Sequence, residues 1–294
     1  LVTAASWYGF ADTLIVFECK LISVESKTQA RLLMLDDNNR KLYTTRSIVQ
    51  HYTQLKMLQP AEQTILDRFQ NQWASMKMLD IGVGGGRTTQ HFSKLVLEYI
   101  GIDYSTEMIG ACQKRFAASP HTAFEVCDAR DMRQFKDNSF DFIMFSFNGI
   151  DYVSHSDRLK VFQEVSRVSK PGGYFFFSSH NLQRIEREFN WRNQMSLNPL
   201  TTYVNLVMLT LLRCFNYSTN LEQLSLSTHA TIKDESHNFR LKTYYVRPQE
   251  QINQLEAGFS NTQVYSWENG LELKTKNEWS ANTDMWLYYL CTIK

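Results

Sequence analysis

Two stretches, FDFIMFS at residues 140–146 and YFFFSS at 174–179, are apolar at consecutive rather than alternate positions. A strand of that kind has to be covered on both faces, which is the condition of a parallel sheet sandwiched between helices. The rest of the chain keeps the matching rhythm. Strands are predicted at Met78–Ile81, Leu97–Ile102 ending in Asp103, Ala123–Val126 ending near Asp128, Phe140–Phe145 and Tyr174–Ser178. Helices are predicted between them at Thr88–Leu97, Thr106–Phe116 and Asp157–Val168, with Pro171, Gly172 and Gly173 resetting the last turn. Strand and helix alternating at this spacing predict an α/β, doubly wound, Rossmann-like sheet, in which ligands bind beyond the carboxyl ends of the strands.

At that edge the sequence reads MLDIGVGGGRTT from Met78 to Thr89. Glycine inside an element costs about 0.5–1 kcal/mol relative to alanine, so Gly82, Gly84, Gly85 and Gly86 need a reason. They form either a plain strand-to-helix turn or a bed of bare backbone for a nucleotide-like ligand. Asp103 favours the second reading, since an acid at the end of the next strand can accept from both ribose hydroxyls, although it could equally cap the following helix. The dinucleotide spacing GxGxxG fails, because Arg87 stands at the third glycine position, and the second half of the chain does not repeat the pattern. A dehydrogenase is thereby disfavoured.

The 31 Lys and Arg residues against 30 Asp and Glu leave a formal charge of +1, with no basic run longer than a pair, so no nucleic-acid partner is expected. Five scattered cysteines without CxxC spacing read as buried thiols of a reducing, cytoplasmic setting. The seven histidines show no HxxxH pattern, so no metal is expected. No apolar interval is long enough to cross a bilayer, and residues 1–17 lack the basic start of a signal peptide.

The ordered series DIGVGGG, GIDYS, CDA, FDFI and KPGG, from Met78 to about His180, resembles the motif series of class I S-adenosylmethionine-dependent methyltransferases of the small-molecule type. The resemblance implies a seven-stranded sheet with the last strand antiparallel, which suits the long polar loop before Trp286–Thr292. It implies S-adenosyl-L-methionine as cofactor, with S-adenosyl-L-homocysteine as product. Asp80, Gly82, Gly84 and Gly86 would hold the methionine end, Asp103 the ribose, and Asp128 with the backbone of Ala129 the adenine. Tyr104 and Met108 would flank the ring, Phe147 would border the methyl group, and Arg46 and Tyr52 on an N-terminal helix would close over the cofactor.

Methyl transfer from a sulfonium is a direct displacement that rests on alignment, with a base needed only where the acceptor must lose a proton. His180, Asn148 and Tyr152 are the candidate catalytic groups. Together with His155, Asn181, Tyr203 and Tyr245 they are also the candidate acceptor wall. For His180 a structural role in holding a loop weighs equally, as do core or dimer contacts for Tyr203 and Tyr245. The expected division is an N-terminal extension over 1–40, a helical lid and cofactor core over 41–182, a cap or dimer arm over 183–247, and completion of the core over 248–294. Within the third part, Leu200–Leu212 reads as a buried helix, with strands at Leu224–Thr231 and Phe239–Val246. The expected acceptor is a small, partly apolar metabolite methylated on nitrogen or oxygen by a monomer or homodimer. The alternatives are protein methylation and a non-catalytic cofactor-binding protein.

Overall fold

A computed structural model describes residues 52–235 and 239–294. Arg46 and the extension over 1–40 lie outside the described residues. In chain order come α1 (Pro60–Arg68), β1 (Lys77–Ile81), α2 (Thr89–Phe92), β2 (Glu98–Asp103), α3 (Thr106–Arg115), β3 (Thr122–Val126), β4 (Phe140–Phe145), α4 (His155–Val168) and β5 (Ser169–Asn181). An insertion follows: α5 (Leu182–Phe189), α6 (Pro199–Phe215), α7 (Leu221–Leu226), β6 (His229–Ile232) and β7 (Thr243–Val246). The chain then closes with α8 (Pro248–Leu255), β8 (Phe259–Ser266), β9 (Glu272–Leu273), α9 (Lys276–Ala281) and β10 (Trp286–Ile293).

The sheet runs β3-β2-β1-β4-β5-β10-β8-β9. β1 to β5 pair in parallel, and β10 lies antiparallel between β5 and β8, as expected. Consecutive apolar residues serve two separate cores. Leu79, Ile143, Phe175, Phe177 and Tyr289 pack with Val161 and Phe162 of α4 on one side. Met78, Phe142, Met144, Phe176 and Tyr288 pack with Ile65 and Phe69, from α1 and the residue after it, on the other. Period-two alternation sends neighbouring side chains to opposite faces, and both faces are buried.

Three local expectations need correction. The helix after the glycines is only four residues long, because the chain turns away to pair and the Leu97 amide already bonds the Met76 carbonyl at 2.9 Å. Residues 221–226 form a helix instead of a strand, since Asn220 and Gln223 make a reciprocal capping box, and the strand begins only at His229. The helix around Leu200–Leu212 exists but is not buried: of its residues only Leu209 and Leu212 are fully covered.

Candidate cofactor and methyl-transfer site

At the carboxyl edge of the sheet two acids end neighbouring strands. Asp80, 2% exposed, accepts from the Thr88 and Tyr99 hydroxyls at 2.5 Å each. Burial pushes its carboxyl up to about 6 despite those donors. Asp103, 8% exposed, accepts from the Gly84 amide at 3.0 Å and the Ser105 amide at 2.9 Å. Burial raises its pKa as well, with the backbone donors opposing. Asp103 thus ties the second strand to the glycine turn, where Gly82, Gly84 and Gly86 adopt φ of +65°, +52° and +79°.

Backbone crowding also demands glycine at Gly85, which the predicted cofactor set left out. A Cβ there would lie 2.5 Å from the Thr53 amide nitrogen, whereas at Gly84 its nearest neighbours would be the Tyr52 ring at 3.7 Å and the Gly82 carbonyl oxygen at 3.9 Å. Tyr52 therefore covers the turn. Met108 is buried on α3, and Tyr104 directly follows Asp103. Asp128 is held by a bidentate pair with Arg130, at 3.0 and 2.7 Å, and by the Arg130 amide. Burial works to raise its pKa, but these contacts outweigh it and the net shift is downward. Ala129 packs against the sheet core next to it.

After β4 the chain makes a tight bend in which Phe147 and Asn148 both take left-handed φ, 61° and 62°. For phenylalanine this is a strained conformation of the sort that gathers at ligand sites. The bend turns Phe147 toward both halves of the site: its ring lies under the Arg87 guanidinium at 4.9 Å, and edge-on to Tyr52 at 6.4 Å and Trp286 at 6.1 Å. Arg87 is fixed by a buried bidentate pair with Glu62 at 2.5 and 2.6 Å, and Glu62 also accepts from Ser146. The Asn148 amide donates to Ser178 at 2.9 Å, while the buried Asn148 Oδ1 has no partner among the described residues.

His180 stands near the carboxyl end of β5. Register places Tyr245 of β7 on one side and Trp286 of β10 on the other, with ring centroids 5.1 and 5.9 Å away. Its Nδ1 donates to Asp151 Oδ2 at 2.7 Å, and its own amide donates to the same oxygen at 2.7 Å. The other Asp151 oxygen accepts from Arg158 at 2.6 Å and Ser179 at 2.7 Å. Arg158 is fully buried and also reaches Gln251 and, at 3.3 Å, the Ile150 carbonyl. With Nδ1–H committed to the carboxylate, Nε2 is left as the basic nitrogen of a fixed ring.

Of the sequence-predicted acceptor wall, His180 and Tyr245 come together, and Asn148 is tied beneath them through Ser178. Asn181 is used structurally: it caps α5 through Gln183 and donates to the Asn282 carbonyl at 3.0 Å. His155 Nδ1 shares a 2.7 Å hydrogen bond with the Tyr244 hydroxyl and its ring stacks on His229 at 4.5 Å, outside the His180 row. Tyr203 is 67% exposed on the outward side of α6. Tyr152 follows Asp151 in a short 3-10 turn. Asp151, Arg158, Trp286 and the Glu62–Arg87 pair were missed. Trp286 was accessible to sequence reasoning, because the first residue of an antiparallel last strand must return to the ligand edge.

A family model described as a methyltransferase domain matches residues 78–173. Over 104 residues the chain is 34% identical to the demethylmenaquinone methyltransferase of Shouchella clausii, covering 34% of this chain and 43% of that protein. It is 29% identical over 109 residues to the ubiquinone biosynthesis O-methyltransferase of Methylococcus capsulatus, covering 37% and 45%. The chain thus spans less than half the length of these curated relatives. The fold is shared with an S-adenosylmethionine-dependent methyltransferase of Mesorhizobium loti, with a TM-score of 0.53 and 14% identity over 79% of this chain and 97% of that one. It is also shared with a Haemonchus contortus phosphoethanolamine N-methyltransferase, with a TM-score of 0.54 and 18% identity over 88% and 59%. Residues 78–173 thus match a methyltransferase domain, and the motif order and sheet are similar to those of class I S-adenosylmethionine-dependent methyltransferases.

Proposed function

We propose that the protein transfers a methyl group from S-adenosylmethionine to an O–H or N–H nucleophile of a small, partly apolar acceptor, with His180 as the base. The observation carrying this reading is the His180–Asp151 pair, seated between two aromatic rings and one strand away from the bend that follows β4. The residues present fit the cofactor. Asp103 keeps lone pairs beyond its backbone bonds for a ribose diol, and Gly84 leaves open backbone beneath the Tyr52 ring. In this reading Asp80 orders the turn and supplies negative charge, Ala129 offers its backbone to adenine, and Asp128 does so while paired to Arg130. When bound, the cofactor supplies an electrophilic methyl on a sulfonium.

The chain's own residues align the acceptor and take its proton. Nε2 of His180 accepts the proton, Asp151 holds the ring in one tautomer and stabilises the charge it gains, and Phe147, Trp286 and Tyr245 exclude water. Asn148 Oδ1 is available as a further acceptor for the nucleophile's hydrogen. The relatives named for menaquinone and ubiquinone synthesis support an acceptor with an apolar body. Residues 183–247 act as the cover that selects it. The test is calorimetric binding of S-adenosylhomocysteine, followed by label transfer from methyl-tritiated cofactor to a panel of phenols, amines and proteins. Binding with transfer to small phenols or amines is expected. Binding without transfer across the panel would favour a non-catalytic protein, and transfer to proteins alone would move the acceptor class.

A further inference from the structure

We infer that α6 is a homodimer interface in which the helix pairs with its own copy across a twofold axis. The helix is apolar on two opposite sides. Leu212 and the partly buried Met208 pack into the insertion's own small core, and Leu209 is buried as well. Leu200, Tyr203, Val204, Val207 and Leu211 recur at helical spacing on the other side and are exposed, Leu200 by 70% and Tyr203 by 67%. A helix that is apolar all round is ordinarily a buried one. Met195, Leu197 and Tyr217 extend the patch at its ends, and each is more than half exposed.

Size and charge select the occupant. At on the order of 100 Å² for each exposed large side chain, this face presents roughly 1,000 Å², above the ~300–600 Å² of the largest patch on an ordinary monomer and about what each partner of a stable dimer buries. The only charged residue of α6 is Arg213, whose guanidinium donates to the Phe189 carbonyl at 2.9 Å. Residues 171–232 contain no lysine. An interfacial membrane helix draws its grip from a face rich in Lys and Arg, which is missing here, whereas a charge-free face is complementary to itself. Antiparallel pairing about a twofold also sets opposed helix dipoles side by side. Val207 is the midpoint of Pro199–Phe215, so in that arrangement it meets its own copy.

Sedimentation velocity on the full chain at micromolar concentration should give twice the 34.4 kDa of one chain. Val207→Glu and Leu211→Glu should each return it to one chain while leaving S-adenosylhomocysteine affinity unchanged, which also certifies the fold. As a second readout, Val207→Cys in a background with Cys19→Ser and Cys214→Ser should form an intermolecular disulfide under mild oxidation, and Leu271→Cys, exposed elsewhere, should not. A wild-type mass of one chain would overturn the proposal. Recovery of that single chain on phosphatidylcholine vesicles would assign it to lipid. A dimer that survives both glutamate variants, or crosslinks equally at both cysteine positions, would also overturn it.

Discussion

Asp80 and Asp103 end adjacent parallel strands, yet the contacts around them ask for different experiments. Asp80 is buried behind two hydroxyl donors and its carboxyl sits at about 6, against an ordinary value of 3.8. Between pH 4 and 6 the folded protein therefore binds more protons than the unfolded one, so stability from this group is full below about pH 4 and is lost as pH rises through about 6. The window corresponds to roughly 3 kcal/mol. Asp80→Asn is neutral throughout and keeps an acceptor oxygen. In urea titrations it should therefore gain on the wild type by about 2–3 kcal/mol between pH 4 and 7, whereas a pH-independent difference would mean the carboxyl titrates normally. Asp103 instead faces the proposed ribose. Asp103→Ala removes charge-assisted bonds worth roughly 1.5–3 kcal/mol each, so calorimetry should show S-adenosylhomocysteine affinity falling at least about tenfold. Undiminished affinity would take this acid out of the site.

At the scale of elements, the site is assembled from strand ends by register, and that determines what could be read in advance. The parallel core, the antiparallel last strand and the order of acids Asp80, Asp103 and Asp128 were legible, because consecutive apolar runs and strand-end polar residues are local signals. Asp151 and Arg158 were not. Their partners His180, Ser179 and Gln251 are 21 to 93 residues distant, and a buried ion pair leaves no periodic trace. The insertion misled for another reason: apolar content predicts burial only if the cover belongs to the same chain. Two predictions belong here. Asp151→Asn withdraws the charge behind His180 and should lower kcat by about 10²–10⁴ and flatten its pH profile, with little change in S-adenosylhomocysteine affinity. Equal loss of cofactor binding would mark the pair as structural scaffolding. Gly85→Ala drives a Cβ to 2.5 Å from the Thr53 backbone, so it should displace that segment and weaken cofactor binding more than Gly84→Ala, whose cost is chiefly the φ of +52°. Calorimetry on the two folded variants gives the order directly.

Across the whole described chain, stability is unevenly shared between a large two-faced sheet and a small appended unit. The insertion has its own core of eight buried side chains, among them Leu182, Phe189, Leu212 and Tyr245. It joins the main body through two β5–β7 register pairs, His180 with Tyr245 and Asn181 with Val246, through the His155–His229 stack, through Tyr244, which bonds His155 and Gln254, and through Gln183 and Arg187, which reach Ser280 and Thr283. Burial per residue is what raises opening free energy, so a unit this thin opens without dragging the sheet apart. Tyr245 lies at the joint. Its hydroxyl donates to Asp234 at 2.6 Å inside the insertion while its ring flanks His180, so under the proposed function an opening of residues 183–247 would expose His180 without disturbing Asp80 or Asp103. Under that proposal, acceptor entry and cofactor retention would be separable. Native-state hydrogen exchange should find α6 and α7 opening at a free energy at least about 3 kcal/mol below that of β1, β4 and β5. Protection of α6 alone should rise with protein concentration, because its outward face is covered only in the dimer. Uniform protection across insertion and sheet would instead make them one cooperative unit, and acceptor entry would then require a different opening.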